Sequence, residues 1–382
     1  MPLTFRKVFA HPSYSWNYRS EPEPALNGRT LDTPLGKTLG GTSLINALIC
    51  IRGRRRAYDR LAESGLQGSG YDDMLPYFKR METHWRGPEP FHGGGGPVQV
   101  TPMTHEDMLY EPLRQAAVYA GFGTDGRPER RGAGRHQPHG SDDWRRPAFE
   151  LVARLCDASR PAARPHHPRQ GPHAAADPGV PACRRVEYCD GNRDGDGVHQ
   201  TFASGEVVLC SGTYNSAQLL MLSGIGPRQH LEALGIHCVL DLIGMGQNFS
   251  EHPNLIMVFR EKGLVSLTKW LRYDRIATSR ARWWLRRDGA FATNGAAANI
   301  FACTLPGQDR PDMQMICMSL NNTATPWFPG LTPQPLFGFS IRVVALNPVS
   351  RGVVSLRSAD ARDAPRRASS STCCRRPRTW QP

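Results

Sequence analysis

The chain has 382 residues, 39% of them hydrophobic, enough to bury a large core and to hold two domains. Its formal charge is +13, from 47 basic and 34 acidic residues, which raises nucleic acid or an anionic membrane as partners. No nucleic-acid-binding motif and no run of ~20 apolar residues goes with that charge, so neither partner nor a transmembrane segment is expected.

Residues 1–35 are turn-rich, with Pro22, Pro24, Asn27-Gly28 and Pro34. The glycine-dense stretch Gly36-Lys37-Thr38-Leu39-Gly40-Gly41-Thr42-Ser43-Leu44-Ile45-Asn46 then runs into apolar Ala47–Ile51. It predicts a loop entering a buried helix, with helix over 43–64. A Gly-Gly pair lets backbone approach a ligand, the Thr42 and Ser43 hydroxyls can bond a phosphate or cap a helix, and a helix N-terminus suits an anion. The same residues read equally as a tight turn before a core helix.

Tyr71–Trp85 has helical periodicity, with Asp72 and Asp73 at its start and Met74, Leu75, Tyr77, Phe78 and Met81 on one side. Pro97–Val100 alternates as a strand, and a helix is predicted from about Met108 to Ala120, stopping at Gly121. From about Gly126 to Cys183, Arg, Pro, His and Ala dominate and periodicity nearly vanishes. The composition is that of a disordered linker, or of a GC-rich gene read in a shifted frame. Restored strand patterning in another frame of the DNA would support the second reading.

Normal patterning resumes at Arg185–Tyr188. Glu206–Cys210 reads as a strand, followed by Ser211-Gly212 and a helix closing at Gly224, which is half of a nucleotide-binding βα unit. Val265–Arg287 reads as a helix in which Trp270, Trp283 and Trp284 stand among many Arg. It suits a solvated basic face over a core side, or a membrane-surface helix. Phe337–Val344 and Val353–Leu356 are strands, and 366–377 matches no pattern.

The ten cysteines form no CxxC pair and suggest neither zinc nor a disulfide framework. Cys50 and Cys210 lie in apolar runs as small hydrophobes. Met1–Lys7 lacks the apolar centre of a signal peptide. A reducing, cytoplasmic location is the expectation.

The blocks Gly36–Asn46, Gly212–Pro227 and Leu242–Pro253 stand beside Tyr14–Tyr18, Glu21–Pro24, Tyr71–Phe78, His92–Pro97 and Ser350–Gly352. Together they resemble the glucose–methanol–choline (GMC) flavoprotein oxidoreductases, nearest the choline-dehydrogenase-like members, over about residues 10–125 and 184–365. The resemblance implies an α/β fold: an incomplete Rossmann-type FAD-binding domain in two parts, 1–125 and 184–254, and a sheet-based substrate domain, 255–365. The irregular segment 126–183 and the tail 366–382 lie outside it.

By the same resemblance, FAD packs along Leu39, Gly40, Gly41 and Thr42 and along the turn Asn46, Ala47, Leu48 and Ile49. Some members tether FAD through a histidine near here; the matching position is Ile45, so the FAD is expected to be noncovalent, and its retention is open. The chain is read as having no GxGxxG, and it is expected to start after the point where the family's GxGxxG βαβ unit ends. In the family a C-terminal histidine takes the hydroxyl proton while hydride passes from the alcohol carbon to the flavin. That region is also expected to be missing. His252 belongs to the Asn248–Pro253 motif as a structural element, His84, His92 and His105 read as loop residues, and His166-His167 reads as a polar loop more than a metal site. No catalytic residue and no metal ligand is assigned. Three readings follow: an FAD-dependent oxidoreductase acting on the CH-OH group of a small-molecule alcohol, inactive as written; a non-catalytic gene remnant; and a basic nucleic-acid-binding protein.

Overall fold

The computed structural model describes residues 9, 11–38, 40–102, 109–121, 135–137, 140–142, 185–189, 198–204, 206–263, 266–286, 289–304, 308, 310–321, 323–361 and 365–369. In chain order the first elements are β1 (Tyr18–Arg19), β2 (Asp32–Thr33), β3 (Ile49–Cys50), α1 (Arg55–Glu63), α2 (Tyr71–Met81), β4 (Glu82–His84), β5 (Val98–Pro102) and α3 (Tyr110–Tyr119). Next come β6 (Arg135–Gln137), β7 (Gly140–Asp142), β8 (Arg185–Cys189), β9 (Val198–Phe202), α4 (Gly212–Leu222), β10 (Ile225–Gly226), α5 (Arg228–Ala233) and β11 (Leu240–Asp241). The last are β12 (Asn254–Arg260), α6 (Tyr273–Arg286), β13 (Ala296–Ala302), β14 (Met313–Met318), β15 (Gly338–Ala345), β16 (Gly352–Ser355) and β17 (Arg366–Ser369). They form two compact units: one of residues 1–8, 43–160 and 252–347, the other of 9–42, 161–251 and 348–382.

The first unit is built on an antiparallel sheet in the order β12-β15-β14-β13-β6. The small side chains of β13 explain how α3 lies on it: Ala297 and Ala298 are buried against Leu113 and Ala117 of the helix, with Leu109, Ile300 and Cys317 completing the cluster. Burial pushes the Cys317 thiol up to about 12, so it packs as an inert hydrophobe. A second sheet, β3-β7-β5-β4, pairs β4 and β5 in parallel and the rest antiparallel.

The second unit centres on α4, whose Tyr214, Ala217 and Met221 pack with Tyr18, Leu231, Cys238, Phe249, Val354 and Leu356. The Tyr18 hydroxyl donates to Asn215 Oδ1 at 2.9 Å, and burial pushes its pKa up to about 12. Here two of the motif blocks meet. Phe249 and Gly352 exchange backbone hydrogen bonds at 2.9 and 2.6 Å, and Val354 N–H donates to Gly246 O at 2.8 Å. Gly246 sits at φ +72°, where a Cβ would lie 2.0 Å from Val354 O, so this contact requires glycine.

Several predicted elements form: α2, α3, α4, β5, β15 and β16 occupy the expected segments within a few residues, and Arg185–Cys189, where patterning resumes, is strand β8. Others do not. Ala47–Ile51 is not helical. Leu48 stands at φ +57°, which no right-handed helix passes through, and β-branched Ile49 leads into strand β3. Helix begins only at Arg55. Glu206–Cys210 forms no strand, and Val208 is 71% exposed. The Tyr71–Trp85 helix stops at Met81, because Glu82–His84 turns to pair with β5. The 265–287 segment divides into a 3-10 helix, Leu267–Leu271, and α6, with Arg272 extended between them. Within 126–183, β6 and β7 join the two sheets of the first unit; the remainder of that segment lies outside the described residues. The aberrant tail begins with a described strand, β17, paired with β16.

Candidate functional site

The glycine-dense stretch divides at residue 43, and its two parts belong to different units. In the second unit, Trp16 N–H donates to Leu35 O at 2.9 Å and Lys37 N–H to Tyr14 O at 2.8 Å, which ties the loop entry to the Tyr14–Tyr18 block. The Lys37 ammonium stands 4.7 Å from the Trp16 ring centroid, a cation–π contact. The loop folds back on itself: Gly36 N–H donates to Thr42 Oγ1 at 3.2 Å, and Gly41 N–H to Thr38 O at 2.8 Å. A Cβ on Gly36 would lie 2.2 Å from Gly41 O, so only glycine allows this closure. Gly40 and Gly41 have φ +87° and +58°, and a Cβ on Gly41 would meet nothing within 4 Å. The result is open backbone that a ligand can approach. Leu39 lies outside the described residues.

In the first unit, Asn46 Oδ1 accepts from Leu48 N–H at 2.8 Å, an Asx turn that holds Leu48 in its left-handed conformation. Asn46 therefore caps a turn, not the predicted helix. Ile45 beside it is fully buried. The turn has a brace that the sequence did not reveal. Asn294 is 1% exposed; its Nδ2 donates to Ala47 O at 2.9 Å and to Leu48 O at 3.1 Å, and its Oδ1 accepts from Ala296 N–H at 3.0 Å. Asn294-Gly295 reads only as a turn, and its partner lies 247 positions away. Ile49 and Cys50 then pair with Ser141 and Gly140 of β7.

The loop in the second unit thus offers open glycine backbone, and the turn in the first unit has its carbonyls bonded to Asn294. The string Gly121 to Gly126 fits the spacing GxGxxG, but it trails helix α3 rather than a strand, which is the wrong context for a dinucleotide turn. His252 is exposed. Among the described residues no group of three His, Cys, Asp or Glu could hold a metal ion, and no helix is long and apolar enough to cross a membrane.

The GMC oxidoreductase family model matches residues 18–146 and 182–254. Oxygen-dependent choline dehydrogenase of Rhizobium johnstonii is 31% identical over 377 residues, covering 96% of this chain and 65% of its own length. The protein of that name from Paraburkholderia phymatum is 33% identical over 376 residues, covering 96% and 63%. The chain thus spans about two thirds or slightly less of these relatives. Among solved structures, a formate oxidase superposes with TM-score 0.78 at 22% identity, over 96% of this chain and 68% of its own. Pyridoxine 4-oxidase from Mesorbium loti gives 0.71 at 21%, over 96% and 67%. The fold is that of these flavoproteins, and the chain belongs to the GMC oxidoreductase family.

Proposed function

We propose that this chain carries part of an FAD-dependent oxidoreductase that acts on the CH-OH group of a small-molecule alcohol, with choline-dehydrogenase-like chemistry. The carrying observation is the Asn46–Ile49 turn braced by Asn294, within a chain whose family match spans both the loop and the α4 block. FAD, when bound, accepts the hydride that leaves the alcohol carbon. By the family resemblance, Leu39, Gly40, Gly41, Thr42, Asn46, Ala47, Leu48 and Ile49 are the residues that would hold it. Ile45 carries no nucleophile, so the flavin is held noncovalently. The FAD-binding part comprises 1–125 and 184–254 and the substrate part 255–365. The location is cytoplasmic.

The 382 residues alone oxidise no alcohol in this reading, since no residue among them is assigned to take the hydroxyl proton. The test is an absorption spectrum after incubation with FAD and desalting, followed by an alcohol screen. A retained, protein-perturbed flavin spectrum that Gly36→Ala abolishes supports the site. No retained flavin from a cooperatively folded chain overturns it, and turnover of any alcohol overturns the claim of inactivity.

A further inference from the structure

A titratable cluster in the first unit lies outside the flavin residues. Glu82, 5% exposed at the start of β4, gathers three donors on one oxygen: Arg52 Nη2 at 2.7 Å, His92 Nδ1 at 3.1 Å and Gly93 N–H at 3.1 Å. Arg52 also donates to Phe91 O, so the loop 85–92 and the chain leaving β3 are clamped by the same groups. Burial works against the Glu82 carboxylate, but the Gly93 N–H, His92 and Arg52 outweigh it and hold the pKa below the ordinary range.

Against this clamp lies His84. Its ring stacks on His92 with centroids 3.7 Å apart and planes 10° from parallel. Its Nδ1 accepts from Arg86 N–H at 3.3 Å, while the His84 backbone N–H donates to Gly93 O at 2.9 Å and its backbone carbonyl accepts from Gly87 N–H at 2.9 Å. The groups facing the ring are His92 and Arg86 from the loop, Glu82 from its own strand, and Arg52 from the segment after β3. Strand β5, paired to β4, has no titratable side chain. Of these, Arg86 and Arg52 are cationic and Glu82 is anionic.

We propose that His84 is an acid-sensitive latch: neutral, it closes the 85–92 loop over the Glu82 clamp, and protonated, it releases that loop. A proton on Nδ1 removes the acceptor for Arg86 N–H and sets a cation face to face with His92. Burial, followed by His92, holds the His84 pKa below the ordinary histidine value of 6.5. The sign follows. The open loop binds the proton more readily than the closed one, so closure is complete above the ordinary histidine pKa and weakens as pH falls from there through the lower closed-state value. Glu82, held below its ordinary carboxylate value, titrates beneath that window.

The test is amide hydrogen exchange of peptides spanning 85–93 in the full chain at pH 7.5 and pH 5.5, expressed as protection factors. The wild type is expected to lose about twofold or more protection in that loop at the lower pH, while α3 keeps its own. His84→Phe retains the stack without titrating and is expected to remove the dependence. If His84→Phe folds poorly, the wild-type midpoint of loop opening is compared with the titration of the His84 ring followed by NMR. Equal protection at both pH values, acid dependence that survives in His84→Phe, or a midpoint that does not track His84 overturns the latch. None of these outcomes depends on flavin binding.

Discussion

Asn294 shows how much one side chain can hold. Its amide satisfies two carbonyls of the turn and one buried N–H, from a side chain itself 1% exposed. Losing a buried partner costs about 1–3 kcal/mol per group left unsatisfied. Asn294→Ala is therefore expected to lower stability by about 2–4 kcal/mol, read as a fall in urea midpoint without a change in slope. Asn294→Asp, which keeps the acceptor and loses the donor, is expected to fail similarly. The four-glycine run supplies a sharper contrast. A Cβ on Gly96 would lie 2.2 Å from Met81 backbone, whereas one on Gly95 would meet nothing within 4 Å. Gly96→Ala is expected to destabilise by more than about 2 kcal/mol and Gly95→Ala to stay within about 0.5 kcal/mol, measured in the same denaturation series. Sequence reading singles out Asn46 and Gly36, whose bonding partners lie within six residues. It misses Asn294 because nothing local marks an amide whose partners are distant in the chain.

At the scale of elements, legibility follows how local the forces are. Helix α2 declares itself by apolar periodicity and by acidic residues at its start, and α3 and α4 by a glycine just past their ends. Ala47–Ile51 misleads because its apolar run has no period. An Asx turn and pairing with β7 decide it instead, and β7 lies in a segment whose composition shows no strand pattern. Burial then separates residues that look alike in sequence. Leu231 of α5 is 0% exposed and Met221 of α4 is 1%, while Leu285 of α6 is 70% exposed. Leu231→Ala and Met221→Ala are each expected to cost about 2–5 kcal/mol. Leu285→Ala is expected to stay within about 0.5 kcal/mol. Thermal melts of the three variants check the ordering; a Leu285→Ala loss matching that of Leu231→Ala would show that α6 covers a surface not seen in the described residues.

At the scale of the molecule, the chain passes between its two units after residues 8, 42, 160, 251 and 347. No composition shift marks the pass at 42, which falls within the 3-10 turn Gly41–Leu44, so the interleaving is invisible to a reading that looks for linkers. Its consequence is that neither unit is a contiguous stretch. A polypeptide of residues 1–251 removes β12, β13, β14 and β15 from the main sheet of the first unit, leaving α3 with no β13 to cover. It also removes Val354 and Leu356 from the core around α4, together with β16, whose Val354 docks on Gly246. Each unit loses buried apolar contacts worth several kcal/mol, comparable with the ~5–15 kcal/mol by which a whole domain is stable. Residues 1–251 are therefore expected to show no cooperative thermal transition and to bind a hydrophobic dye, while the full chain melts cooperatively. A sharp calorimetric transition in the shorter polypeptide would mean that residues 9–42 and 161–251 suffice for a core without the returning strand, and the interleaving would then carry no stability.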